Sequence, residues 1–285
     1  MDIALLHNGQ ASEEPRNPLR QNSSSLTLAQ SIWQAQQDKN KALALLFSGF
    51  ERIWAYEREK HQQPSITLDW ASFFPANTTP IDSGTLHVVQ RWMQALQSVQ
   101  AQGDLALLHA NDEGITLPGN KAKKMGKHLQ KWISGDWLEQ LAEDWLVQSG
   151  VPKSAIACNV SGSPDEGKNS NSLREVDLLI HYQHKTSLIE VKAGLPPGKA
   201  PGELENQLSS IGSRFGKNRK ALMLGPHLLH TLLRSKKADA FWFRCQANAV
   251  TLLLNKQHLT DFVEGRNPWQ GKGIDGAPDE FRSGL

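Results

Sequence analysis

Two short apolar segments in the second half of the chain carry charged side chains whose types could support hydrolysis. Asp177 lies in the first segment, and Glu190 and Lys192 lie in the second. Alternate side chains along a β-strand share one face of the sheet, so Glu190 and Lys192 should point the same way. Chemistry at this place then depends on whether the fold brings Asp177 to that face.

A β-hairpin formed by the two segments would bring the three side chains together. With His184 and Lys185 at its turn, Asp177 lies opposite Lys192 and diagonal to Glu190, with roughly 7–8 Å between the Cα atoms of the diagonal pair. Any turn with an even number of residues keeps the three side chains on one face, whereas an odd number separates them. The sequence therefore predicts two carboxylates and one ammonium on the same face of a sheet.

Two carboxylates among apolar neighbours repel each other and favour a divalent cation as their partner. Oxygen ligands suit Mg²⁺ or Mn²⁺, which can polarise a phosphoryl oxygen and lower the pKa of a bound water. Lys192 could orient or deprotonate that water, or stabilise the charge of the transition state. The alternative interpretation is an ordinary ion pair between two structural strands.

The pattern of Asp177 followed by Glu190-Val191-Lys192 resembles the core of the PD-(D/E)XK nucleases. That family carries a further acidic residue on the preceding helix, and the phrase that ends in Glu139 is similar to this motif. Over about residues 121–255, the chain resembles the nuclease domain of CRISPR-associated CARF nucleases.

The resemblance implies a set of metal ligands and a set of catalytic residues. The metal ligands would be Glu139, Asp177, Glu190 and the carbonyl of Val191. The catalytic residues would be Asp177, Glu190, Lys192 and Gln207. Glu143, one helical turn after Glu139, is the alternative helix acid.

The resemblance also implies a function. The protein would be a metal-dependent endonuclease that hydrolyses phosphodiester bonds of DNA, RNA or both in prokaryotic antiviral defence. Members of the family are type III CRISPR effectors that cyclic oligoadenylate switches on, and they are dimers, so this activator and a homodimer are expected. The alternatives are a non-catalytic nucleic-acid-binding or regulatory protein on a nuclease scaffold, and an endonuclease of transposition or restriction.

Around the candidate site, the sequence predicts an α/β fold with a restriction-endonuclease-like mixed sheet flanked by helices. Apolar residues recur every four positions from Ile133 to Trp145, which predicts an amphipathic helix. We expect this nuclease domain to cover residues 121–263. Residues 264–285 hold glycine, proline and charge with little apolar content, which predicts a loose tail.

The N-terminal part predicts a smaller α/β or winged-helix region. A helix over residues 26–38 and a buried strand within residues 41–50, where a helix is also possible, resemble the second half of a CARF sensor domain. Residues 1–60 would then be a CARF-like remnant or a regulatory segment, and residues 61–120 a winged-helix-like connector. The glycine- and lysine-bearing loop of the family is absent, so a dimerisation surface or a different regulatory module is an alternative.

Basic residues cluster on both sides of the acidic motif, although 31 Lys and Arg against 29 Asp and Glu leave a net charge of only +2. Such clusters can contact phosphates and make binding dependent on salt, or they can be solvated helix faces and turns. The candidate nucleic-acid contacts are Lys121, Lys124, Lys127, Arg214, Lys217 and Arg219.

The composition excludes several other classes of protein. No apolar run approaches the ~20 residues of a membrane-spanning helix, and the first residues lack the basic start of a signal peptide. Cys158 and Cys245 alone cannot build a disulfide scaffold or a four-cysteine zinc site. We therefore expect a soluble cytoplasmic protein without a membrane partner.

Overall fold

The computed structural model describes a defined part of the chain. Its residues are 12–13, 17–21, 23–56, 65–74, 81–98, 108–118, 128, 131–162, 174–194, 219–234, 238–272 and 277–283. Contacts group them into two compact units, one drawn from Asn17–Trp137 and Pro196–Gly198, the other from Met1–Arg16, Leu138–Leu195 and Lys199–Leu285. The four-part division expected from the sequence is finer than this grouping and stays a prediction.

The described residues form nine β-strands and nine α-helices. The strands are β1 (Ser12–Glu13), β2 (Ser65–Asp69), β3 (His109–Ala110), β4 (Gly114–Pro118), β5 (Ile156–Gly162), β6 (Arg174–Tyr182), β7 (Lys185–Lys192), β8 (Arg219–Leu224) and β9 (Val250–Leu253). The α-helices are α1 (Ser23–Gln37), α2 (Lys41–Tyr56), α3 (Trp70–Phe73), α4 (Ser83–Ser98), α5 (Trp137–Gln148), α6 (Pro226–Arg234), α7 (Ala238–Ala247), α8 (Lys256–Glu264) and α9 (Asp279–Ser283). None of these helices has the length and apolar character needed to cross a bilayer.

A six-stranded mixed sheet forms the centre of the larger unit, in the order β1-β5-β6-β7-β8-β9. Neighbouring strands from β1 to β7 run antiparallel, whereas β7, β8 and β9 run parallel. Strand β8 is apolar from Ala221 to Leu224 and buried, as expected of a parallel strand covered on both faces. The predicted mixed sheet flanked by helices is confirmed.

The hairpin of β6 and β7 turns one residue earlier than the sequence suggested. Tyr182 pairs with Lys185, so the turn consists of Gln183 and His184. Both have positive φ, 49° and 61°, which is the backbone that a two-residue hairpin turn requires. In this register Asp177 lies opposite Glu190 instead of Lys192, and the even turn keeps the three side chains on one face.

The C-terminal residues pack into the core, so the expectation of a loose tail is wrong for those that the structure describes. Trp269, Ala277 and Phe281 are buried in a cluster that helices α6 and α7 and strands β8 and β9 share. The Trp269 indole donates a hydrogen bond to the Leu252 carbonyl at 2.7 Å, and its ring centroid lies 5.0 Å from that of Trp242. A few large aromatic side chains thus anchor a segment whose average composition is polar.

The smaller unit combines helices α1 to α4 with a three-stranded sheet in the order β2-β4-β3. The strand predicted within residues 41–50 is wrong, because these residues belong to helix α2. Its buried side chains recur at helical spacing. They are Ala42, Leu43, Leu46, Phe50 and Ile53.

Helix α8 has a defined cap at each end, and one of them gives a test of stability. The Asn255 side chain accepts a hydrogen bond from the His258 backbone N–H at 2.8 Å, and Gly265 ends the helix with φ of 93°. We expect Asn255→Ala to lower the free energy of unfolding by about 1 kcal/mol, because it removes the N-cap acceptor. Urea unfolding measures this, with Gln257→Ala on the exposed side as the control. Equal stability of the two variants would contradict the prediction.

Candidate active site

Helix α5 supplies the first acidic residue of the candidate site. The chain enters it through a π-helical turn, Trp132–Asp136, and such turns are frequent at functional sites. Apolar side chains at Leu138, Leu141 and Ala142 are fully buried, which fixes one face of the helix against the core. Glu139 lies beside this apolar face and is only 7% exposed, so a carboxylate is held inside the larger unit.

The hairpin supplies the second carboxylate. Asp177 is 8% exposed, and its Oδ2 atom accepts a hydrogen bond from the Val191 backbone N–H at 2.7 Å. The same oxygen lies 3.5 Å from the Lys192 Nζ atom. Because a backbone donor and an ammonium both hold it, this carboxylate is fixed beside the C-terminal end of β7.

Lys192 joins Asp177 to Glu190. Its Nζ atom lies 2.5 Å from Glu190 Oε1, so the three residues meet as the sequence predicted. Burial by itself lowers the pKa of the Lys192 ammonium. The charges of Asp177 and Glu190, and more weakly that of Glu139, raise the pKa by more, so it lies above its usual value.

The structure separates the two acids that the sequence left as alternatives on helix α5. The charge of Glu139 contributes, more weakly than those of Asp177 and Glu190, to the raised pKa of Lys192. Glu143 lies one turn further, and its Oε2 atom is 3.5 Å from the Cys158 thiol. This difference favours Glu139 over Glu143 as the helix acid of the site, and the assignment stays a prediction.

The backbone of β7 offers a further oxygen. The N–H and C=O of one strand residue point to the same side, and the Val191 N–H faces Asp177. The Val191 carbonyl is thus directed to the same side, whereas the Lys192 carbonyl faces β8 and accepts from the Gly225 N–H at 2.8 Å. Gly225 permits this approach, because a Cβ atom there would lie 3.1 Å from the Ala193 backbone.

The chemistry of this donor set fits a divalent cation such as Mg²⁺ or Mn²⁺. Two carboxylates contact one ammonium, a third acts on its charge, and every candidate ligand is an oxygen. Among the described residues, no three Asp, Glu, His or Cys side chains are arranged to share one metal ion. Coordination would therefore require Asp177 and Glu190 to turn from the Lys192 ammonium toward a common point.

Most other predicted site residues lie outside the part of the chain that the structure describes. These are Gln207, Lys121, Lys124, Lys127, Arg214 and Lys217. Arg219 is described and has structural partners, since its guanidinium donates to the Phe262 and Arg266 carbonyls and lies 4.3 Å from the Phe262 ring centroid. It pairs with Ser187, three residues and about 10 Å along the strand from Glu190.

Sequence reasoning missed Asn159 on strand β5. The pairing of β5 with β6 places it opposite Asp177, and it is 1% exposed. Its signal in the sequence is a polar residue between Cys158 and Val160, inside a buried apolar strand. An isolated buried amide is common in structural cores, so this signal alone does not indicate a site.

Comparisons with known proteins support the fold. No protein-family model and no curated protein matches the chain. The crystal structure of protein VC1899 from Vibrio cholerae is similar at 17% identity and a TM-score of 0.56, over 92% of this chain and 59% of that one. The structure of Can2 from Sulfobacillus thermosulfidooxidans in complex with cyclic tetra-adenylate is similar at 15% identity and a TM-score of 0.49, over 90% and 57%. The chain thus spans less than three fifths of the length of these structures.

Proposed function

We propose that the protein is a metal-dependent nuclease that hydrolyses phosphodiester bonds of DNA, RNA or both. The observation that carries the proposal is the meeting of Asp177, Glu190 and Lys192 at the C-terminal end of β7. Glu139 is buried, and its charge acts on Lys192. Buried carboxylates around a lysine are costly for stability alone, because three negative charges face one positive charge. A divalent cation would balance the excess of three carboxylates over one ammonium.

Each residue of the site has a role in this proposal. Glu139, Asp177, Glu190 and the Val191 carbonyl would hold the metal ion, which supplies Lewis acidity and a more acidic bound water. Hydrolysis forms a bond from a water oxygen to phosphorus and breaks the bond from phosphorus to the leaving sugar oxygen. Lys192 would orient the water or stabilise the negative charge on the phosphoryl oxygens.

The setting of the activity rests on the sequence resemblance. We propose a role in CRISPR-type antiviral defence, a cyclic oligoadenylate as activator and a homodimer as the working form. The nucleic acid that is cut is part of the same proposal, with Gln207 supporting the site and the basic clusters at 121–127 and 214–217 holding phosphates.

A cleavage assay tests the proposal. We expect labelled single- and double-stranded DNA or RNA to be cut in Mn²⁺ or Mg²⁺ and left intact in EDTA, because the carboxylates need the cation. Arms with cyclic tetra-adenylate and cyclic hexa-adenylate measure activation. Salt-sensitive binding without cleavage in any arm would favour the non-catalytic binding protein instead.

A further inference from the structure

Strand β6 loses its pairing with both neighbouring strands at Asp177. On one side, Cys158 pairs with Leu178 and Val160 pairs with Val176, but the pair between them, Asn159 and Asp177, is missing from the ladder. On the other side, the ladder with β7 runs from the turn to the pair of Leu178 and Ile189 and does not include Asp177. At Asp177 the ladder with β5 therefore has a gap of one pair, and the ladder with β7 has just ended.

The gap on the β5 side coincides with an unusual backbone. Asn159 has φ of 52°, in the left-handed region that residues other than glycine seldom adopt. Such a residue turns its peptide groups out of a strand ladder. Asparagine tolerates this conformation better than β-branched residues do, which accounts for its place between two well-paired apolar residues.

The side chain of Asp177 contacts β7. Its carboxylate accepts from the Val191 N–H at 2.7 Å and lies 3.5 Å from the Lys192 ammonium. An extended residue at position 159 would offer Asp177 a regular ladder partner on β5 instead. The register of β6 with β7 puts Asp177 on the face of Glu190, and the interruption of the ladder with β5 falls at this same residue.

From these observations we infer that Asn159 is a positioning residue. Its left-handed backbone helps to direct the Asp177 carboxylate toward the C-terminal end of β7, where the metal ion would bind. The inference rests on the proposed nuclease function and adds a residue of a third strand, β5, to the site. Strained backbones of this kind persist where the surrounding structure holds them, and they concentrate at functional sites.

Asn159→Val tests the inference because valine favours the extended backbone. We expect Mn²⁺ affinity, measured by electron paramagnetic resonance, to fall by about 10- to 100-fold, the usual effect of losing a partner that orients a metal ligand. In cleavage, kcat should fall while KM for the nucleic acid stays near the wild-type value. Asn159→Gly should keep Mn²⁺ affinity and kcat near their wild-type values, since glycine adopts positive φ freely.

Two further variants serve as a control and as a replacement. Ala249 has the same φ of 52° in the turn before β9, so Ala249→Val imposes similar strain away from the site and should leave Mn²⁺ affinity unchanged. If Asn159→Val does not fold, Asn159→Ala replaces it, with affinity expected below that of the glycine variant.

The possible outcomes separate this inference from the proposed function. Wild-type Mn²⁺ affinity in Asn159→Val, or equal losses in the valine and glycine variants, would overturn the positioning role and leave the nuclease proposal standing. A wild-type protein that neither binds Mn²⁺ nor cuts any substrate would overturn both.

Discussion

Lys192→Ala is expected to lower metal-dependent cleavage by about 100- to 1,000-fold, the usual loss when a preorganised charge near the reacting group is removed. The Lys192 ammonium lies 2.5 Å from Glu190 and 3.5 Å from Asp177, so in the proposed mechanism it would lie beside a phosphate bound to the metal ion that these carboxylates hold. Single-turnover cleavage of a labelled substrate measures the effect, since product release then does not hide the chemical step.

Lys185→Ala is the matched control for this variant. Lys185 begins the same strand and is exposed, with its Nζ atom 3.3 Å from the Glu264 carbonyl. Its loss removes one positive charge from β7 without touching the site. Cleavage that drops equally in both variants would indicate a general charge effect, and undiminished cleavage in Lys192→Ala would remove Lys192 from the mechanism.

Glu139→Gln should show the second large effect. The amide keeps the size of the side chain but removes the charge that acts on Lys192 and that a divalent cation would need. We expect Mn²⁺ affinity and cleavage to fall by at least 10- to 100-fold, roughly the loss caused by removing even an outer partner of a metal ligand. Titration with Mn²⁺ followed by electron paramagnetic resonance measures the affinity directly.

Glu143→Gln provides the comparison on the same helix. Its carboxylate contacts the Cys158 thiol and not the Lys192 group, so cleavage should stay near the wild-type rate. The reverse pattern, with Glu143→Gln inactive and Glu139→Gln active, would mean that the helix acid of the site is Glu143.

The face shared by Asp177, Glu190 and Lys192 could be predicted because the period of a strand is two. The predicted turn lies one residue later than the observed one, so the predicted and observed registers of β6 and β7 differ by two residues. A difference of two residues leaves every side chain on the same face. A turn with an odd number of residues would have placed Asp177 on the opposite face from Glu190 and Lys192. The prediction of the site was therefore insensitive to the mistake in the turn.

Helix α2 shows where the pattern of a short segment was insufficient. A run of apolar residues over 41–50 suits a buried strand or a buried helix, and its periodicity does not separate them. Burial of Ile53, three residues after the buried Phe50, continues the helical spacing beyond that window. Phe50 also packs edge-on against Phe73, with 5.5 Å between the ring centroids, and such contacts form only once the unit has folded.

Arg219 shows that charge alone does not indicate a binding surface. In the sequence it belongs to a basic cluster, but in the structure its guanidinium binds carbonyls at the C-terminal end of helix α8 and covers the Phe262 ring. The C-terminal end of a helix attracts cations, because its last carbonyls carry partial negative charge. Such partners come from residues more than forty positions away and are invisible in the local sequence.

By itself, the sequence determined the chemistry of the candidate site, because residue types and strand parity are local properties. It supplied the carboxylates, the lysine, the mixed sheet and the helix that carries Glu139. Only the tertiary structure gave Glu139 and Glu143 different surroundings, buried the aromatic residues of the C-terminal segment, and placed the left-handed Asn159 opposite Asp177. These outcomes depend on which distant elements pack together, and packing is a property of the folded chain.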